Sequence, residues 1–160
     1  MVSDSGAYYN SIFAIDRAGQ TIGRYDKSHL VPFGEYMPFP LNTLLDPILN
    51  FASFTAGEKG RSISINDIMS VLPLICYEVI FPMHHGVDDG SLKTNTLVTI
   101  TNDAWYGNSS GPYQHLALAK MRAVQEGVFL IRVANTGISA IIDNNGQIVP
   151  IDFGIMGRLD

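Results

Sequence analysis

The chain has 160 residues, 46% of them hydrophobic and 16% charged, with a formal net charge of −5. That is the size and composition of one globular domain with a core of its own, without the Lys/Arg cluster of a nucleic-acid-binding surface. No apolar run reaches the roughly 18–20 residues that span a bilayer, residues 1–4 lack a signal-peptide pattern, and one cysteine excludes an internal disulfide.

In chain order, residues 8–16 predict a strand, Arg17-Ala18-Gly19-Gln20 a hairpin turn, and residues 21–25 the returning strand. Pro32 and Gly34 make residues 27–35 an irregular loop. Over residues 40–56, Leu41, Leu44, Leu45, Ile48, Leu49 and Phe51 recur at three- and four-residue spacing. This pattern predicts a short amphipathic helix interrupted by Pro47, which packs on the core or forms a lid over 41–54. Residues 71–75 and 97–101 read as buried strands, and 114–127 as a helix stopped by Gly127. Strands over 128–134 and 138–142 follow, with Asn144-Asn145-Gly146 as a turn. Hairpins mixed with a crossover helix predict an α/β layered domain.

Reactive side chains fall at the ends of three predicted strands: Lys27 and Glu35, then Cys76 and Glu78, then Asn102-Asp103. A cysteine attacks acyl groups as thiolate, and a nearby cation favours that form. Lys27 could supply the cation and also stabilise an oxyanion, while a carboxylate moves protons. His29, His84, His85 and His115 are the histidines available as alternative partners. Each residue also has a plain structural explanation. Cys76 could be a small buried hydrophobe, Lys27–Glu35 a solvated ion pair, and Glu78 a surface residue. His84-His85 has no companions at ligand spacing, so a loop is favoured over a metal site, and no cofactor is expected.

The segment Tyr25-Asp26-Lys27-Ser28-His29-Leu30-Val31-Pro32-Phe33-Gly34-Glu35-Tyr36-Met37-Pro38 resembles the catalytic-lysine segment of the apolipoprotein N-acyltransferase branch of the nitrilase (carbon–nitrogen hydrolase) superfamily. Ile75-Cys76-Tyr77-Glu78-Val79-Ile80-Phe81-Pro82 resembles its nucleophile segment. Further matches follow in order: Thr101-Asn102-Asp103-Ala104-Trp105-Tyr106-Gly107, Gly111-Pro112-Tyr113-Gln114-His115, Met121-Arg122-Ala123 and Ala134-Asn135-Thr136-Gly137-Ile138-Ser139-Ala140. The resemblance implies a nitrilase-like four-layer α-β-β-α sandwich. In it Cys76 takes an acyl chain from a phospholipid as a thioester, then passes it to the N-terminal amine of a diacylglyceryl-lipoprotein. By the same resemblance Lys27 holds the oxyanion, Glu35 and Glu78 support the site, and Tyr77 and Trp105 lie near the cleft against lipid.

The resemblance also implies a third catalytic member, a glutamate upstream of the lysine, and a transmembrane bundle anchoring the domain in the bacterial inner membrane, facing the periplasm. Neither has a counterpart here: before Tyr25 the acidic residues are Asp4 and Asp16, outside any matching motif. Residues 1–160 are therefore expected to be a partial domain lacking its first strands. An unpaired sheet edge and exposed core surface would leave it marginally stable and nearly inactive alone. Two rival readings are a soluble amidase-type carbon–nitrogen hydrolase, in which water resolves the thioester, and a catalytically silent nitrilase-like fragment.

Overall fold

The computed structural model of the chain describes residues 2–4, 6–39, 53–82 and 93–149. Most of the amphipathic stretch read over 40–56, with the lid over 41–54, and the His84-His85 pair lie outside the described residues. A short antiparallel pair, β1 (Val2–Asp4) and β2 (Ala7–Tyr9), precedes the hairpin of β3 (Ser11–Ile15) and β4 (Thr21–Asp26). The strand read over 8–16 is thus two strands, broken at Asn10. The break has a use, because the Asn10 carbonyl accepts the Lys27 N–H at 2.8 Å.

The main sheet has six strands in the order β10-β9-β8-β7-β6-β5. They are β5 (Ile63–Ser64), β6 (Ser70–Ile75), β7 (Thr96–Thr101), β8 (Phe129–Ala134), β9 (Ala140–Ile142) and β10 (Ile148–Val149). β6, β7 and β8 run parallel, and the outer strands pair antiparallel. The crossover from β7 to β8 is helix α1 (Gly111–Glu126). It starts one turn before the predicted boundary because Pro112 takes a first-turn position where its missing N–H costs nothing. Gly127 ends it with φ 68°, its N–H bonding back to Ala123 and Val124 carbonyls.

Side-chain alternation then separates two cores. Leu72 and Leu74 of β6, Leu97 of β7 and Leu130 of β8 face α1, where Ala119 and Ala123 are fully buried. The small residues let the helix approach the sheet closely. On the opposite face, Ile75 joins Tyr25 and Ile63 in a second cluster under the β3–β4 hairpin, with Cys76 packed against it. β6 is buried on both faces for this reason, as its unbroken apolar run implied. The hairpin covers only that side of the sheet. Ile100, in register with Ile75 and Val133, is 43% exposed, and Phe129 and Val133 are each 48% exposed. Helix, six-stranded sheet and hairpin are three successive layers of the α-β-β-α arrangement.

Candidate active site

The candidate functional side chains collect where β4, β6 and β7 end. Cys76 is the first residue after β6 and opens a single 3-10 turn, Cys76–Ile80. Its φ of 53° is left-handed, a conformation that costs a non-glycine residue free energy and marks a sharp change of direction. Two contacts hold that turn. Arg122 of α1 donates from Nε to the Val79 carbonyl at 3.1 Å and from Nη2 to Ile80 at 2.9 Å. This satisfies two carbonyls at the end of the turn and gives Arg122 a structural reason to sit mid-helix.

The second contact is Glu78, which is 3% exposed and so is no surface residue. Its Oε1 accepts from the Tyr25 hydroxyl (2.7 Å), the Ser28 N–H (2.7 Å), the Ser28 hydroxyl (2.9 Å) and the His29 N–H (3.0 Å). Its Oε2 accepts from the Ile75 N–H at 2.8 Å, reaching back across the turn as a capping side chain does. Five donors on one buried carboxylate clamp the Cys76 turn to the Lys27 loop. Tyr25 registers this environment: burial first, then the Glu78 charge, pushes its phenol well above the usual tyrosine range.

Lys27 follows β4 directly and is 1% exposed. Its Nζ pairs with Glu35 Oε2 at 2.7 Å, so the pair is buried rather than solvated. Glu35 is anchored in turn by the Val31 N–H on Oε2 (2.8 Å) and Asn10 Nδ2 on Oε1 (3.1 Å). A cation taken out of water needs such a partner. The loop between them, irregular as Pro32 and Gly34 require, bends Glu35 back onto the lysine; a Pro32–Tyr36 bridge closes it.

The third segment builds something the sequence reading missed. Asp103 accepts from the Thr101 hydroxyl (3.0 Å) and lies 2.8 Å from His115 Nδ1, while its other oxygen accepts from Arg132 Nη2 at 2.6 Å. All three ionisable residues are at most 2% exposed. His115 is thereby committed to this network and not to Cys76. Arg132 went unnoticed although its signal was present. It shares the α1 face of β8 with Leu130, and an arginine on a buried strand face requires a carboxylate partner. The Tyr106 ring rests edge-on against His115, with centroids 5.9 Å apart. Its phenol is pushed upward by burial first, then by the neighbouring Cys76 and Asp103.

Tyr77 lines a cavity of about 520 Å³ with His29, Tyr36, Phe54, Lys59 and Phe81 among its walls. Trp105 is 82% exposed and outside that cavity. Among the described residues no cluster of three metal-ligating side chains occurs. No helix of the described residues is long and apolar enough to cross a membrane.

A strand-end cysteine whose turn is clamped to the loop carrying a buried lysine–glutamate pair calls for comparison with enzymes of known architecture. The sequence profile described as carbon-nitrogen hydrolase matches residues 1–152. The chain belongs to that family. Its fold agrees with that of a CN-hydrolase superfamily protein from Xanthomonas campestris (TM-score 0.65, 21% identity, 92% of this chain and 54% of that one). A carbon–nitrogen hydrolase from Helicobacter pylori superposes similarly (TM-score 0.64, 18% identity, 91% of this chain and 52% of that one). In sequence the chain is 48% identical over 145 residues to a Brucella melitensis protein named apolipoprotein N-acyltransferase, covering 88% of this chain and 27% of that one. A Rhizobium rhizogenes protein of the same name is 43% identical over 159 residues, covering 96% of this chain and 29% of that one. The chain thus spans less than a third of the length of these curated relatives.

Proposed function

We propose that this chain is the lysine-and-nucleophile portion of an apolipoprotein N-acyltransferase, with Cys76 as the acyl-accepting nucleophile. The observation that carries the reading is the Glu78 clamp, which joins the Cys76 turn to the loop presenting the buried Lys27–Glu35 pair. The Cys76 thiolate attacks the ester carbonyl of a phospholipid. Lys27 neutralises the tetrahedral oxyanion, and collapse breaks the C–O bond; the departing alkoxide takes up the proton that the thiol gave to the base, releasing a lysophospholipid and leaving a thioester. The α-amine of a diacylglyceryl-cysteine then attacks: the C–N bond forms, the C–S bond breaks, and the amine proton leaves.

That proton needs a base. Glu78 is occupied by five donors and Glu35 by Lys27, so both are assigned as positioning residues, and the base belongs to a carboxylate outside the described residues. The relatives' greater length supports the same division: upstream sequence would supply the base, the remaining strands and the attachment to the inner membrane, with this portion facing the periplasm.

The test joins this chain to the upstream part of the Brucella melitensis relative and supplies a phospholipid with a labelled acyl chain and a diacylglyceryl-cysteine peptide. Label in amide linkage on the peptide, lost with Cys76→Ala, is the expected result. Release of the label only as free acid would place the site among the amidase-type hydrolases instead.

A further inference from the structure

The cavity beside Tyr77 carries a feature that thioester chemistry does not use. Much of its wall is apolar, from Leu30, Pro32, Phe54, Ala56 and Phe81, yet among the described residues its two basic members, His29 and Lys59, are accompanied by no carboxylate. That is against the grain of a chain with 15 Asp and Glu residues against 10 Lys and Arg. A smaller neighbouring cavity shares Ser28, His29, Lys59 and Phe81. Glu78 also lines it, with its two oxygens already engaged by five donors.

Neither basic group has an ion pair among the described residues, and His29 Nδ1 lies 3.4 Å from the Ser28 hydroxyl. Among the described residues Lys59 has no ion pair, and its neighbour Glu58 is directed to Arg61 at 4.0 Å. The His29 ring stacks on Phe81 with centroids 4.5 Å apart and 14° between planes, and its backbone N–H is held by Glu78. The ring is therefore fixed in place, while Lys59 stands on an exposed loop position with a flexible stem.

We propose that His29 and Lys59 form a subsite for the phosphodiester of a glycerophospholipid, seating the headgroup beside the Cys76 turn with its acyl portion against the apolar wall. An apolar wall that also carries the Lys59 ammonium and the His29 ring is complementary to an anionic amphiphile, whereas inorganic phosphate alone would leave the wall unused. The inference rests on the acyl-transfer reading for its choice of lipid, and it adds which residues recognise the part of the donor that does not react.

The test is a titration of this chain, followed by amide chemical shifts, with dihexanoylphosphatidylglycerol below its micelle concentration. Dihexanoylglycerol and inorganic phosphate are the comparison probes. Shifts at Ser28, His29 and Lys59 are expected with the phospholipid, together with a preference over dihexanoylglycerol that weakens as salt is raised. Lys59→Glu should reduce that preference by about two- to fivefold, the scale of one partly exposed ion pair lost. Glu58→Gln, at the adjacent exposed position, should keep it. A preference unchanged in both Lys59→Glu and Lys59→Ala would overturn the proposal, and so would equal displacement by inorganic phosphate. Failure of the catalytic reading is separately visible. In this chain joined to the upstream part of its Brucella melitensis relative, Lys59-dependent lipid binding without any Cys76 thioester would fault the chemistry alone, and thioester formation indifferent to Lys59 would fault the subsite alone.

Discussion

Replacing Glu78 with glutamine separates a clamp from a base. The amide keeps the shape of the carboxylate but loses its charge, and one acceptor becomes a donor. If the amide oxygen takes the place of Oε1, the four bonds from Tyr25, Ser28 and His29 survive as neutral bonds. The Ile75 N–H then faces an NH₂ group and is left unsatisfied. Bonds to a charged acceptor contribute about 1.5–3 kcal/mol each against about 0.5–1.5 for neutral ones, and a buried donor left unmade costs about 1–3. Allowing for the smaller cost of burying an amide, the net loss should be about 3 kcal/mol. That is a large share of a stability on the order of 5–15 kcal/mol. Urea denaturation should show a midpoint lowered by about 1.5–2 M at an m-value of about 1.5–2 kcal/mol/M. In hydrogen exchange the Ser28, His29 and Ile75 amides should lose protection first. A variant whose stability stays within about 0.5 kcal/mol of the parent, with unchanged exchange at those amides but no acyl transfer, would refute the clamp and make Glu78 a proton carrier.

Lys27→Met should slow thioester formation by about 10²–10³, the usual scale for removing one oxyanion partner. It should also destabilise the fold by several kcal/mol, because Glu35 is left half-buried and unpaired. Adding Glu35→Gln should recover part of that stability but none of the rate, as a double-mutant cycle can resolve. Tyr25 sets an alkaline limit. With its folded-state ionisation raised above the ordinary value of 10.0, its contribution is intact below about pH 10 and is lost as pH rises further. Tyr25→Phe should cost about 1–2 kcal/mol at neutral pH yet flatten the fall in Tm above pH 10. Gly137→Ala should destabilise by more than about 2 kcal/mol: its φ is 116°, and an added Cβ would stand 2.5 Å from Asp103 Oδ2. Calorimetry of that variant reports directly on the Asp103–His115–Arg132 network.

Much of the layering was legible because period-two burial and a small-residue helix leave strong patterns. Leu72, Leu74, Leu97 and Leu130 alternate as strand residues must, and Ala119 and Ala123 mark the helix face against them. The three strand-end segments of the site were legible for the same reason, since Lys27, Cys76 and Asp103 each follow a well-formed strand. What was hidden depends on three-dimensional closure. Glu78 reads alike as a surface carboxylate or as the acceptor of five donors, because four of those bonds come from residues about fifty positions away. Arg132 pairs with Asp103 across 29 positions. The one-residue break at Asn10 was invisible because Tyr8 through Asp16 keeps a strand-like composition throughout. The two-residue strand β5 is too short for any periodicity to appear.

The central claim is that Cys76 carries the acyl group, and peptide mass spectrometry tests it most directly. This chain, joined to the upstream part of its Brucella melitensis relative, is incubated with dipalmitoyl phospholipid vesicles without acceptor and then digested. The account expects one palmitoyl group on the Cys76 peptide, released by neutral hydroxylamine as a thioester is and consumed when a diacylglyceryl-cysteine peptide is added. A folded protein whose Cys76 peptide stays unmodified while acyl transfer proceeds would contradict it.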